Sequence, residues 1–250
     1  MELDFFNRRA TVRRYSDSHH VTDSELDALL EAATHAPSTG NMQLYSVIVT
    51  RDADRKARLA ELHFNQPAAK GADVLLTFCA DVRRFGKWCA ARHAVSGLDN
   101  AGGRLTAIID ASIFAQQFVT AAEQNGLACC YLGTVPYNIA GFAEALELPA
   151  GVIPLFSVSV GYPEEGAPAP EPSDRLPLSA IVSRETYHDA TEADIDVYYA
   201  HKEQLEESKR FVEENGKQTL AQVYSEVRYP LELNLSLGRQ LLEAIQNPEK

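Results

Sequence analysis

The stretch "RLTAIIDASIFAQQFVTAAEQNG", residues 104–126, decides what kind of fold this chain needs. Its apolar residues recur at helical spacing but on several faces, and Gly126 stands where a left-handed C-terminal residue is wanted. A helix apolar around most of its circumference has to be surrounded, so a central, buried helix is expected here. Working outward, "YSVIVT" (45–50), "DVLLTFCA" (73–80), "LACCYL" (127–132) and "VIPLFSVSVGYP" (152–163) are apolar or β-branched runs that read as strands. Pro154 suits the beginning of its strand or a sheet edge. "TDSELDALLEAATHA" (22–36) opens with Thr22 and Glu25 at capping-box spacing, and "DADRKARLAEL" (52–62) and "AGFAEALEL" (140–148) read as further helices. Helices and strands alternate through residue 162, which leaves α/β and α+β open, around one sheet carrying the buried helix.

The 250 residues, 45% of them hydrophobic, suit one large domain with extensions, and no window reaches the ~18 uninterrupted apolar residues of a membrane span. The N-terminus "MELDFFNRRATVRRY" lacks an apolar core and small-residue cleavage site, so a cytoplasmic protein is expected. Cys79, Cys89, Cys129 and Cys130 show no CxxC spacing, and a metal or disulfide role is not expected. A net charge of -12 argues against nucleic acid or an anionic membrane as partner. Against that background Arg8, Arg9, Arg13 and Arg14 form one local cationic cluster. The proline-rich "PEEGAPAPEPSDRLP" (163–177) separates the body from a polar, helical tail. The division expected is a body over 1–189 and an extension over 190–250 that packs on the body or on a partner subunit.

The motifs of dinucleotide-binding enzymes, P-loop NTPases, zinc hydrolases and α/β-hydrolases are missing: there is no G-x-G-x-x-G after a strand, G-x-x-x-x-G-K-[ST], H-E-x-x-H or G-x-S-x-G. What remains is a set of polar groups at element ends. Arg9 and Arg13, four apart, would share one side of a helical turn and could fork onto one phosphate. Ser38, Asn41 and Gln43 could face a flat heterocycle, although Ser38 and Asn41 are also common turn formers. Gly133 follows a strand, where a missing side chain admits a ligand to the backbone, and Arg175 follows the proline-rich loop. Taken singly, each of these is better explained by a turn or capping role than by a ligand.

In order and spacing, "RRATVRRY", "APSTGNMQLYSVIVT", the "NQ" ending at Gln66, "YLGTVPYN" and "SVGYPEE...DRLP" together resemble the FMN-dependent nitroreductase family. The tail, with "YYAHKE", resembles the family's larger, NADPH-preferring branch of oxygen-insensitive nitroreductases and flavin reductases. The resemblance implies an α+β fold: a central, mostly antiparallel sheet flanked by helices, a buried central helix and a helical C-terminal tail. It also implies a homodimer with FMN in two clefts at the subunit interface. Arg9, Ala10, Thr11 and Arg13 match the segment that holds the FMN phosphate and ribityl region. Ser38, Asn41 and Gln43 match the corner that reaches the flavin of the other subunit. Gln66 matches the glutamine on the polar edge of the ring system, and Tyr131, Leu132, Gly133 and Thr134 match the loop beside flavin N5. Arg175 matches an arginine on the phosphate. Lys202 could meet the nucleotide phosphate as a related basic residue does in the larger branch, although an ordinary surface lysine on a helix is the more common case. Two positions depart: Ser173 stands where a basic residue is usual, and Gly133-Thr134-Val135-Pro136 replaces Gly-Gly-x-Arg.

The activity implied is ping-pong transfer of hydride from NADPH or NADH through FMN to a small-molecule oxidant, a nitroaromatic, a quinone or free flavin. No catalytic side chain is required, because the redox chemistry belongs to the cofactor. An FMN carrier or sensor without turnover is the alternative that the two charge-losing departures suggest.

Overall fold

The computed structural model describes residues 3–167 and 170–246; Pro168 and Ala169 of the proline-rich stretch lie outside the described residues. The chain divides into two compact units, Met1–Pro170 with Leu237–Lys250, and Glu171–Ser236.

The first unit runs α1 (Asp4–Arg8), α2 (Asp23–Thr34), β1 (Tyr45–Thr50), α3 (Ala53–Leu62), α4 (Pro67–Lys70), β2 (Val74–Asp81), α5 (Arg83–Ala90), α6 (Ala101–Gln124), β3 (Ala128–Leu132), α7 (Ile139–Ala145) and β4 (Val152–Gly161). The strands form one antiparallel sheet in the order β1-β2-β4-β3. This is the α+β arrangement that the resemblance implied. The capping box at the start of α2 is present as read: the Glu25 amide donates to Thr22 Oγ1 at 3.2 Å, and the Thr22 amide donates to the Glu25 carboxylate at 2.8 Å. The Thr22 hydroxyl, which donates to the same carboxylate at 2.7 Å, and the Thr22 amide hold the Glu25 carboxyl down at about 2.

Every residue of β2 is buried, because both faces of the sheet are covered. Val74, Leu76, Phe78 and Ala80 pack with Leu26 and Leu29 of α2 and with Phe114 and Phe118 of α6. Leu75 faces the other way, with Leu59 of α3, Ala68 of α4 and Phe142 of α7. A strand buried on both faces loses the alternation of a half-exposed one, and "VLLTFCAD" accordingly reads as a continuous apolar run. By length and composition α6 could cross a membrane. One side of it is spent in the core, where Ala107, Ala111, Phe114, Ala115, Phe118 and Val119 are buried, while Leu105, Ile109 and Ile113 on the other side are exposed, so the helix is not covered all round as the sequence suggested. Gly126 takes φ 82 just beyond its C-terminus, as the sequence suggested.

Pro154 is not on an edge strand, since β4 lies between β2 and β3. It is tolerated because β3 stops short of it, the last pair being Leu132 with Ser157, and the register towards β2 shifts at Phe78/Cys79. Pro154 therefore lacks a neighbour on one side and meets a bulge on the other.

The segment after α1 is tied to the end of β4. Tyr15 bridges to Pro163 and places its hydroxyl 2.6 Å from Ser159 Oγ. Gly161 makes this approach possible, since a Cβ there would lie 2.8 Å from Tyr15 Cδ1 and 3.1 Å from Cγ. With the ring pinned at its hydroxyl, Gly161→Ala is expected to cost about 1–3 kcal/mol, readable as a lowered denaturant midpoint.

The second unit is helical, with α8 (Glu192–Gln204), α9 (Glu206–Glu214), α10 (Leu220–Gln222) and a π-helical turn over Val223–Arg228. α11 (Leu231–Gln246) begins in this unit and ends in the first.

Candidate active site

Three of the sequence-selected groups lie along β3 or just beyond its C-terminal end. The first is the arginine arm. α1 ends at Arg8, and Arg9 is extended, with φ -60 and ψ 125. Arg9 and Arg13 therefore do not share a helical turn, and the spacing argument for one fails because the chain leaves the helix between Arg8 and Arg9. What gathers them is β3. Arg9 makes a two-point ion pair with Glu123 of α6, at 3.0 Å on each carboxylate oxygen. Arg13 lies beside the Cys130 thiol, which burial pushes up and the two arginines pull back. Ala10 and Thr11 lie half-buried between them.

The second group is Gln66, at the start of α4, whose amide donates to Thr134 Oγ1 at 3.5 Å. The third is the segment after β3. Tyr131 packs on Phe156 and donates to Gln116 at 3.4 Å, and burial pushes its hydroxyl up to about 12. Leu132 is 1% exposed, so only its backbone can face a ligand. Over Gly133 a Cβ would meet nothing within 4 Å, which leaves open space against the backbone.

The corner between α2 and β1 is built differently. Gly40, Asn41 and Gln43 all take positive φ, between 51 and 55. For Gln43, a residue with no special tolerance of that region, such a backbone needs outside support. Asp110 of α6, 1% exposed, supplies it by accepting from the Thr39 amide at 3.0 Å, the Thr39 hydroxyl at 3.1 Å and the Leu44 amide at 3.4 Å. Arg84 adds bonds to the carbonyls of Gln43 and Tyr45. Ser38 Oγ accepts from the Gln43 amide, and the Gln43 side chain folds onto Asn41. Among the described residues no hydrogen bond joins this corner to Gln66 or Thr134.

Arg175 and Lys202 belong to the second unit. Arg175 is exposed and donates to the carbonyls of Ser173 and Asp174. Lys202 lies over the Tyr224 ring, 4.9 Å from its centre, and lines a cavity of about 560 Å3 with Tyr199, Leu220 and Tyr229.

The profile of the Nitroreductase family matches residues 7–162, from the arginine arm through the end of β4. The chain belongs to the nitroreductase family. Among its relatives is an FMN reductase [NAD(P)H] of Bacillus subtilis, 34% identical over 233 residues, covering 88% of this chain and 89% of the relative. An oxygen-insensitive NADPH nitroreductase of Salmonella typhimurium is 32% identical over 177 residues, covering 71% of this chain and 70% of that one. A crystal structure from Bacteroides fragilis is 47% identical and superposes with TM-score 0.93 over 97% of both chains. The NfrA1 nitroreductase of Bacillus subtilis, at 27% identity, gives TM-score 0.78 over 95% of this chain and 97% of that chain.

Within this family fold, side chains that sequence reading passed over hold the candidate groups in place. Asp110 supports the corner, Glu123 holds Arg9 and His63 holds Thr134. Asp110 carried a readable signal, as an acid inside an otherwise apolar helical run must find donors. His63 and Glu123 carried none, since their partners lie far along the chain.

Proposed function

We propose that this chain is an FMN-dependent NAD(P)H oxidoreductase that reduces nitroaromatics, quinones or free flavin. The observation that carries the reading is the placement of the arginine arm beside β3, with Gln66 and the open backbone at Gly133 just beyond the end of that strand, in a chain of this family. The donor chemistry fits the cofactor. Arg9 retains a guanidinium nitrogen that Glu123 does not use, Arg13 is exposed, and Thr11 adds a hydroxyl, together a donor set for a phosphate. Gln66 presents an amide, able to donate and accept, for the polar edge of a heterocycle, and Gly133 leaves room for a flat ring against the backbone.

When bound, FMN supplies the hydride acceptor and donor of the cycle. The chain's own work is to hold the cofactor, to bring nucleotide and oxidant in turn to about 3–3.5 Å from the reacting atom, and to direct donors at charge as it develops. The corner of Ser38, Asn41 and Gln43 bonds to its own α6 and Arg84 and leaves its outer side free, which suits a wall offered to a second copy of the chain. The active form is then a homodimer, and the expected compartment is the cytoplasm.

Purified protein is expected to bind FMN, to be bleached by NADPH or NADH in stopped flow, and to be reoxidised by a nitroaromatic, a quinone or free flavin. Protein that binds no FMN would sink the reading, and bound FMN that neither nucleotide bleaches would make the chain a carrier. Arg9→Ala is expected to weaken FMN affinity about tenfold, the loss of one charge-assisted contact, as measured by fluorescence titration.

A further inference from the structure

His63 ends α3 in the sequence "LHFNQ", three residues before Gln66. It is 0% exposed, and both ring nitrogens are engaged. Nδ1 lies 2.6 Å from Thr134 Oγ1 and Nε2 lies 3.1 Å from Ser157 Oγ, which in turn lies 2.9 Å from Thr77 Oγ1. The ring packs 4.7 Å from that of Phe142. Ser157 and Thr77 are paired residues of β4 and β2, so the far end of this chain of hydroxyls is anchored in the sheet. The near end is Thr134, which Gln66 also reaches at 3.5 Å.

The backbone between His63 and Gln66 adds a second observation. Phe64 and Asn65 take φ 56 and 55 in succession, and Phe64, an aromatic residue, adopts that region rarely. Strain of this kind persists only where the surroundings over-determine it, and it concentrates at functional positions. His63 anchors the entry to this turn and Gln66 forms its exit, bonded through its amide N–H to the His63 carbonyl at 3.3 Å.

We infer that His63 is a positioning residue for the cofactor edge: it fixes Thr134 from the sheet side and, through the strained turn and the shared Thr134 hydroxyl, fixes Gln66. The inference rests on the FMN reading above and extends it to residues that do not themselves touch the cofactor. Burial pushes the ring down to about 4, so it is neutral under working conditions, with one nitrogen donating and the other accepting. A neutral ring between two hydroxyls is satisfied in either tautomer, whereas an aliphatic residue would leave Thr134 free to turn away.

Two amide substitutions separate positioning from space filling. In His63→Asn the side-chain amide occupies the place of Nδ1 and keeps a partner for Thr134; in His63→Gln it reaches the place of Nε2 and keeps a partner for Ser157. The FMN-loaded proteins are compared by absorption spectrum, midpoint potential and rate of bleaching by NADPH. H63N is expected to stay within about twofold of the parent. H63Q is expected to bleach about tenfold more slowly with KM for the nucleotide unchanged, the usual scale for losing an outer partner of a site residue. Its spectrum is expected to shift, and its potential to move by about 30 mV, the two-electron equivalent of tenfold. Thr134→Val is expected to reproduce the H63Q changes, and the double variant to add nothing further. Identical spectra, potentials and rates for H63N and H63Q would overturn the inference, as would an unchanged spectrum in T134V or additive losses in the double variant. Parent protein that binds no FMN would instead remove the FMN reading and this inference with it; binding with unaltered variant spectra removes the inference alone.

Discussion

Asp110→Ala is expected to lower unfolding free energy by about 2–4 kcal/mol and, in the same protein, to weaken FMN binding by more than tenfold. The carboxylate is 1% exposed and is the common acceptor for the Thr39 amide, the Thr39 hydroxyl and the Leu44 amide. Hydrogen bonds to a charged group contribute about 1.5–3 kcal/mol each, and the loss is partly offset because a buried charge disappears with them. Thr39 is exposed, so water can replace its acceptor; Leu44 is 1% exposed, and its amide is left without one. The corner also carries positive φ at Gly40, Asn41 and Gln43, so loosening it releases a backbone that is held against its own preference. Asp110→Asn distinguishes the terms. Its amide oxygen can serve Thr39, but its NH2 then meets the Leu44 amide donor to donor, so an intermediate loss is expected. Urea unfolding reads the stability and fluorescence titration reads the cofactor. A full stability loss in D110A with unchanged FMN affinity would mean that the corner is not part of the flavin site in either subunit.

Much of the fold could be read because the deciding features were local. The apolar pattern of α6 marked a core helix, although only one side of it is covered within this chain, and β2 lacked alternation because both of its faces are covered. Thr22 and Glu25 marked a helix start within four residues of sequence. Of the two places read for Pro154, the beginning of its strand is the one it takes; what tolerates it there is that β3 stops short, a fact about a distant segment. The same limit applied to the site. Gln66, Gly133 and the arginines stand in recognisable local patterns, whereas Glu123 is 114 residues from Arg9, and His63 is 71 residues from Thr134. The Arg9–Arg13 spacing looked like a helical pair, yet α1 had already ended, and a strand rather than a helical turn brings the two together. Side chains that touch a ligand are drawn from a small set of types in recurrent patterns; the side chains that hold them can come from any element that packs nearby.

Lowering the pH from about 6.5 to about 4 is expected to destabilise the parent protein through His63 by about 1.4 kcal/mol per unit, approaching 3 kcal/mol in all. The sign follows from which state binds the proton. Unfolded, the ring titrates near 6.5; folded, desolvation holds it near 4, so between these values the unfolded chain carries more protons and acid favours it. The stability is fully present above 6.5 and is lost as pH falls towards the folded value. No charged group opposes the effect at the ring itself, whose neighbours are the hydroxyls of Thr134 and Ser157 and the ring of Phe142. Other groups titrate in or near the window. Glu25 is held down at about 2 and loses its contribution only below its unfolded value of 4.5. Glu123 is raised, chiefly by burial, so it works in the opposite sense just above 4.5, favouring the folded state as pH falls. The quantity to measure is therefore the difference between parent and His63→Asn in unfolding free energy, taken by urea titration at intervals from pH 7 to 4. Asparagine keeps a partner for Thr134 but cannot take up a proton, so the difference isolates the imidazole. The parent curve is expected to fall relative to the variant across this window; parallel curves would show that the ring reaches water and titrates near its ordinary value, which its burial between β4 and the Thr134 loop does not allow.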